Sequence, residues 1–256
     1  MGNFIKAALI GSPVYHSKSP NLYAHMFSTH GVSGSFSVID LSSENLHKIR
    51  DIAKERGLCA FAVTMPHKRD IIKYLDNTTV AATKLNSVNL AVVKDGVFTG
   101  YNTDGTGILH SLSATGIEVA DKRVLIYGCG GAASAVGYSL KNAGANVFMT
   151  ARSKEKLHAA AEKIGVRVQD GLELSNTDIF INSTPLGMTN NPEFESFDFL
   201  QSAKRGLHVC DLVYSPAETL LMKKAKALGF SVQNGEGMLK FQAEEAFSVI
   251  MRTFKI

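Results

Sequence analysis

Lys68 closes the stretch "FAVTMPHKRD", in which an apolar run, Ala60 to Val63, ends in Thr64 and Pro66 before a basic cluster. Asp104 closes a second run in "GYNTDGTG", after Asn102 and Thr103 and before two glycines. Each reads as a polar group presented at the mouth of a buried strand. In a parallel sheet, ligands sit outside the carboxyl ends of the strands, so the two can face one crevice. A lysine with a carboxylate suits oxidation of a secondary alcohol. The hydroxyl must lose a proton as its carbon loses hydride, and the amine can take that proton or return it to the carbonyl. "KLNSVN" adds Asn86 and Ser87 at the start of the next strand pair. In "YHSKSPN", Ser19 is expected as a helix N-cap with Pro20 as the first helical residue. The hydroxyls of Ser17 and Ser19 at that helix start suit a substrate carboxylate. Each residue also has a plain alternative: Lys68 as a helix-start charge, Asn102 and Asp104 as turn formers, Ser19 as a cap alone.

"RVLIYGCGGAA" places Gly128-x-Gly130-x-x-Ala133 directly after a strand and at the opening of a helix. In that context it is a Rossmann dinucleotide fingerprint. Gly128 permits the tight turn, Gly130 lets backbone approach a pyrophosphate, and Ala133 permits close helix packing, with the helix N-terminus facing the phosphates. An NAD site carries Asp or Glu at the end of the following strand. Here that strand ends "MTARSKEK", with no acid, and Arg152, Ser153 and Lys154 follow. Basic and hydroxyl groups there suit a 2′-phosphate, hence NADP rather than NAD.

These groups need an alternating scaffold, and the chain supplies one. "KAALIG", "SFSVID" and "CAFAVT" read as strands, with helical spacing between them; Ser43 is expected to cap a helix that stops at Gly57. That βαβαβ order implies a parallel sheet. "SVNLAVVKDGVFTGYN" has two apolar runs flanking Asp95-Gly96, an antiparallel pair expected at the sheet edge. A second series restarts at Lys122, after a Gly-rich loop at 104–107 that marks a domain boundary. In the last segment Leu239, Ala243, Ala246, Ile250 and Phe254 form one apolar stripe, so that helix must dock on a core.

The chain of 256 residues is 45 % hydrophobic and 20 % charged with a net charge of +4, an ordinary globular mixture that excludes a disordered or fibrous chain. Its bases are scattered, which suits a small anionic substrate and not a nucleic acid. Three widely separated cysteines, Cys59, Cys129 and Cys210, read as free thiols in a reducing compartment. No apolar run has the length of a membrane span, and the N-terminal run is short for a signal peptide, so a cytoplasmic protein is expected. No metal site is expected; His16, His25 and His30 read as structural or surface residues.

Eight blocks in order, "GSPVYHSKSP", "VTMPHK", "LNSVN", "YNTDGTG", "GCGGAA", "INSTPLGM", "DLVYSPAET" and "GMLKFQA", resemble the shikimate dehydrogenase family over nearly the whole chain. The resemblance implies NADP-linked oxidation of shikimate to 3-dehydroshikimate by an α/β protein of two domains. A substrate domain with a mainly parallel sheet, 1–103, would be completed by the terminal helix, 237–256; a Rossmann NADP domain would span 104–236. It implies Lys68 and Asp104 as the acid–base pair and Ser17 and Ser19 as the carboxylate site. Thr64, Asn86, Tyr214 and Gln242 would meet substrate hydroxyls. The cofactor would be held by Gly128, Gly130, Gly131, Ala132, Arg152, Ser153, Thr184, Gly235 and Met238, and the protein would act as a monomer or homodimer. The chain departs from the family at Ala62, at Tyr23 and Ala24, at Lys84 and Leu85, and at Ala151. The first three departures fall on blocks read as the substrate side, which leaves open a relative acting on quinate or another cyclic hydroxy acid. A non-catalytic sensor is the alternative from another class, and the presence of both Lys68 and Asp104 argues against it.

Overall fold

The computed structural model describes residues 4–15 and 17–256; His16 lies outside them. The chain forms two compact units, Met1–Thr103 with Gln242–Ile256, and Asp104–Phe241. The first unit runs β1 (Ile5–Gly11), α1 (Ser19–Thr29), β2 (Gly34–Asp40), α2 (Ile49–Arg56), β3 (Ala60–Val63), β4 (Asn77–Thr78), α3 (Val80–Leu85), β5 (Leu90–Lys94) and β6 (Val97–Tyr101). The second runs α4 (Asp104–Ala114), β7 (Arg123–Tyr127), α5 (Gly131–Asn142), β8 (Asn146–Thr150), α6 (Lys154–Ile164), β9 (Arg167–Val168), β10 (Ile179–Asn182), β11 (His208–Asp211), α7 (Leu220–Ala227) and β12 (Ser231–Gln233). The last helix, α8 (Glu236–Phe254), begins in the second unit and ends in the first.

In the first unit the sheet order is β2-β1-β3-β5-β6-β4. β1 pairs in parallel with β2 and β3, and β5 runs antiparallel to β3 and β6. The expected hairpin is present, but it is not the edge: β4 pairs beyond it with β6. Alternate residues of β3 feed two cores. Phe61 and Val63 join Ile10, Leu46 and Ile49 on one face, and Ala60 joins Ile5, Tyr23, Phe27 and Leu90 on the other. On that second face α8 lays down Ala243, Ala246, Phe247, Val249 and Ile250. Phe247 stands edge-on to Phe27 at 5.4 Å, and Tyr23 stacks on Phe36 at 3.9 Å.

The second unit is a six-stranded sheet, β12-β11-β10-β7-β8-β9, parallel throughout. Its strand order reverses between β7 and β10, which is where an open α/β sheet places a ligand crevice. The chain is therefore α/β, as its alternating pattern implies.

Three local expectations are corrected. Ser19 is the first residue of α1; Lys18 occupies the N-cap and makes no side-chain cap bond. The stretch after Ser42 is a 3-10 turn, Ser43–Lys48, and α2 begins only at Ile49, ending as expected at Gly57 with φ 63°. Asn45 donates to the Ser42 hydroxyl and the His47 ring bonds the Glu44 carbonyl, local bonds that compete with helical ones. The segment 104–107 is the first turn of α4 and not a loop. A Cβ on Gly105 would stand 1.8 Å from Ser139 Oγ, so glycine lets α4 lie directly on α5. Tyr23, one of the departures from the family pattern, points into the core, fully buried, where desolvation pushes its phenol pKa up. No described helix is long and apolar enough to cross a membrane, and no cluster of metal-ligating side chains occurs among the described residues.

Candidate active site

In the first unit the polar candidates gather at the carboxyl ends of β1, β3 and β6. A Cβ on Gly11, the last residue of β1, would lie 2.4 Å from Thr64 Cγ2, so the two strand exits are pressed together and glycine is required there. Beyond Thr64 the turn is tied down by bonds that include His67 N–H to the Thr64 carbonyl, the buried His67 ring to the Leu41 carbonyl, and Val88 N–H to the Lys68 carbonyl at 2.7 Å. Lys68 is half-buried at that turn, next in sequence to buried His67. Ser17 Oγ accepts from the Ser19 N–H at 3.2 Å and donates to Ser19 Oγ at 3.1 Å, so the two hydroxyls form one polar corner at the start of α1. Substrate carboxylate oxygens there would meet hydroxyl donors and the positive end of an eleven-residue helix.

Asn89 is a residue the sequence reasoning missed. It is buried, its Oδ1 accepts the Thr103 N–H at 2.9 Å, and its Nδ2 donates to Thr103 Oγ1 at 2.9 Å and to Gln242 Oε1 at 3.2 Å. Thr103 Oγ1 in turn donates to the Gln242 carbonyl at 2.8 Å. This cluster fixes the residue directly before Asp104 and ties it to Gln242. Asn86, chosen from the same "LNSVN" block, has a backbone role: at φ 49° it ends α3, its N–H returning to the Ala82 and Thr83 carbonyls. Ser87 beside it is buried and its Oγ has no hydrogen-bond partner among the described residues. Asp104 is buried as the first residue of α4, at the positive end of that helix.

In the second unit the loop after β7 has the geometry a dinucleotide needs. Gly128 has φ 127°, and a Cβ on it would meet the Ser183 carbonyl at 3.0 Å and Thr184 Cγ2 at 3.3 Å, across the sheet's reversal point. A Cβ on Gly130 would meet nothing within 4 Å, so its backbone borders open space. Gly131 and Ala132 follow as the first residues of α5, whose leading N–H groups are the ones an anion uses. Ser183 Oγ, at the exit of β10, is buried without a partner among the described residues. An unobstructed glycine backbone, a helix N-terminus and an orphaned hydroxyl together fit a bound pyrophosphate and ribose. At the end of β8, Arg152 and Ser153 are exposed, and Ser153 occupies the N-cap of α6 without its side chain accepting a cap bond, so its hydroxyl is not engaged by the helix.

The exits of β10 and β11 are tied by buried polar groups that the sequence reading did not single out. Asn182 Oδ1 accepts from the Thr184 N–H at 3.1 Å and from Thr184 Oγ1 at 2.7 Å. Asn182 Nδ2 donates to Asp211 Oδ1 at 2.9 Å. Burial pushes the Asp211 carboxyl pKa up, against hydrogen bonds from Thr219, Val213 and Asn182 that pull it down. Gly235 is buried against the next turn: a Cβ there would sit 2.0 Å from the Leu212 carbonyl. Met238 is buried early in α8, and Tyr214 is 38 % exposed. Of the departures noted in the sequence, Ala24 and Lys84 are exposed and Leu85 is buried, while Ala62 is half-buried in β3.

Residues 9–91 match the family described as shikimate dehydrogenase substrate binding domain. The NADP(+) shikimate dehydrogenase of Methanocaldococcus jannaschii is 38 % identical over 252 residues, 94 % of this chain and 89 % of that protein. Shikimate 5-dehydrogenase from Thermus thermophilus, solved with NADP(H) and shikimate, superposes with a TM-score of 0.89 at 30 % identity, covering 97 % of this chain and 94 % of that one. Quinate dehydrogenase from Corynebacterium glutamicum, solved with NAD, gives a TM-score of 0.89 at 28 % identity, covering 98 % and 95 %.

Proposed function

The chain belongs to the shikimate dehydrogenase family, and on that premise we propose that it is an NADP-dependent enzyme interconverting shikimate and 3-dehydroshikimate, a step toward aromatic amino acids. The observation that carries the cofactor half is the second unit: a nucleotide loop of the right geometry followed by a β8 exit that carries Arg152 and Ser153 in place of an acid. NADP held there supplies the hydride acceptor, or the donor in reverse. Gly128, Gly130, Gly131 and Ala132 would hold the pyrophosphate, Arg152 and Ser153 the 2′-phosphate, and Thr184, Gly235 and Met238 the remainder.

The substrate half rests on the chain's own acid–base groups. Ser17 and Ser19 would anchor the carboxylate, and Thr64, Gln242 and Tyr214 the ring hydroxyls. The Lys68 amine, in its neutral form, accepts the proton of the reacting hydroxyl as the carbonyl forms, and its ammonium returns that proton in the reverse direction. Asp104 accepts a hydrogen bond that aligns the hydroxyl and the amine. Asn86 would join Thr64, Gln242 and Tyr214 at the ring hydroxyls, and Asn89 holds Gln242 and Thr103. A reducing, cytoplasmic setting suits three cysteines that are all free. Initial rates with shikimate and quinate, each against NADP and NAD, test the reading. Turnover with shikimate and NADP is expected to dominate. Turnover confined to quinate, or to NAD, would assign the protein to the reading suggested by the quinate dehydrogenase likeness.

A further inference from the structure

Asp211 ends β11 wholly buried, with no ion-pair partner among the described residues. A buried carboxylate without a cation is costly unless donors surround it. Three do, from three places: Asn182 Nδ2 at 2.9 Å and the Val213 N–H at 3.1 Å reach Oδ1, and Thr219 Oγ1 reaches Oδ2 at 2.6 Å. All three are donors, so an acceptor-only side chain is what the site takes.

Each donor leads outward. Asn182 holds the backbone and hydroxyl of Thr184, and its amide also reaches the Leu186 carbonyl at 3.2 Å. Val213 accepts the Gly235 N–H at 3.0 Å on its carbonyl, which fixes the turn leading into α8 and Met238, and Tyr214 follows Val213 directly. Thr219 caps α7, accepting the Met222 N–H, and leads to no candidate site residue. Two of the three arms therefore end on candidate ligand-binding residues of the second unit, and one ends on scaffold.

We propose that Asp211 is a positioning residue for hydride transfer, fixing through Asn182 and Val213 the β10 and β11 exits that carry Thr184 and Tyr214 and, through the Val213 carbonyl, the turn with Gly235 that leads to Met238. This rests on the cofactor reading above. Asp211 touches no reacting atom; on that reading it acts by holding residues that would contact the bound cofactor. Loss of its two site-facing arms lets both exits relax independently, while loss of the Thr219 arm alone leaves them in place.

The test compares Asp211→Ala with Thr219→Val, measuring KM and kcat per folded molecule, NADP affinity by calorimetry, and the primary deuterium isotope effect with deuterated NADPH. For Asp211→Ala we expect NADP affinity to fall about tenfold, as for groups that orient ligands from one layer out. Its kcat should drop about a hundredfold, as for small misplacement of reacting groups. The isotope effect should rise, because a poorly aligned hydride step becomes rate-limiting. Thr219→Val should lose thermal stability yet keep all kinetic values within about twofold of the wild type. Where Asp211→Ala does not fold, Asn182→Ala cuts the Thr184 arm alone and should weaken NADP in the same direction. Kinetics and NADP affinity within about twofold of the wild type in Asp211→Ala, or in Asn182→Ala as its substitute, would overturn the proposal. So would Thr219→Val shifting the kinetics as far as Asp211→Ala. If the wild type turns over neither substrate, the substrate reading fails, and NADP affinity alone decides: a tenfold loss in Asp211→Ala sustains the proposal, and an unchanged value ends it.

Discussion

Replacing Asn89 with alanine removes the group that ties Thr103, and with it the start of α4, to Gln242. The change deletes at least three side-chain hydrogen bonds, two to Thr103 and one to Gln242 Oε1. The Thr103 N–H is then left buried without its acceptor, which costs about 1–3 kcal/mol, and the two Nδ2 bonds contribute about 1 kcal/mol each. Because Thr103 Oγ1 keeps the Gln242 carbonyl, the sum is held to roughly 3 kcal/mol. With a urea slope of about 2–3 kcal/mol per molar, the unfolding midpoint should fall by about 1 M. The catalytic effect should exceed what unfolding explains, since Asp104 follows Thr103 directly and a shift of about 1 Å there costs on the order of a hundredfold in rate. Asn89→Asp separates the two effects. It keeps an acceptor for the Thr103 N–H but sets an oxygen against Gln242 Oε1, so stability should partly recover while activity does not. Urea titration and steady-state kinetics on the three proteins are the assay. An Asn89→Ala protein with an unmoved midpoint and normal kcat would refute the assignment of this cluster to the site.

Gly105→Ala puts a methyl 1.8 Å from Ser139 Oγ and should destabilise by about 1–3 kcal/mol by overpacking, despite a helix-propensity gain of about 1 kcal/mol; Ser139→Gly in the same chain should restore the urea midpoint. Arg152→Ala should raise the KM for NADP about tenfold and leave that for NAD unchanged, the signature of a lost charge-assisted bond to phosphate. Burial lowers the His208 pKa; the ring bonds Ser231 Oγ at 2.8 Å and Gln233 Oε1 at 3.1 Å. Gln233 Oε1 can only accept, which puts a proton on Nε2, and burial outweighs that bond in favouring the neutral ring. A depressed folded-state pKa means the unfolded chain binds more protons, so stability falls as pH drops below about 6.5. Melting temperatures between pH 7.5 and 5 should show that fall in the wild type and a shallower one in His208→Gln.

What the sequence made legible follows from what it encodes locally. The period-2 and helical patterns, Asp95-Gly96 and the Gly128–Gly130 turn are short-range signals, and each produced its element. The hairpin's place in the sheet was not legible, because β4 has only two residues and no period to read. The 104–107 glycines looked like a loop because glycine is a poor helix former; their reason is Ser139 on α5, a tertiary contact without a local trace. The part played by Asn89, in the same block as Asn86, was equally illegible. Both are asparagines in one block, and only the fold turns one into a left-handed helix stop and the other into a buried bridge to a residue 153 positions away. Asp211 and Thr219, eight positions apart, carried a signal in "DLVYSPAET": an acid closing an apolar strand asks for a donor.

Lys68→Ala tests the central claim most directly. Single-turnover rates with shikimate and NADP, set beside calorimetric binding of each, should show turnover falling by about 10²- to 10⁴-fold, the usual worth of a general acid–base group. Both ligands should still bind with near-normal affinity. A variant that turns over at close to the wild-type rate would contradict the account, and Lys68 would then be an ordinary charge at the start of a turn.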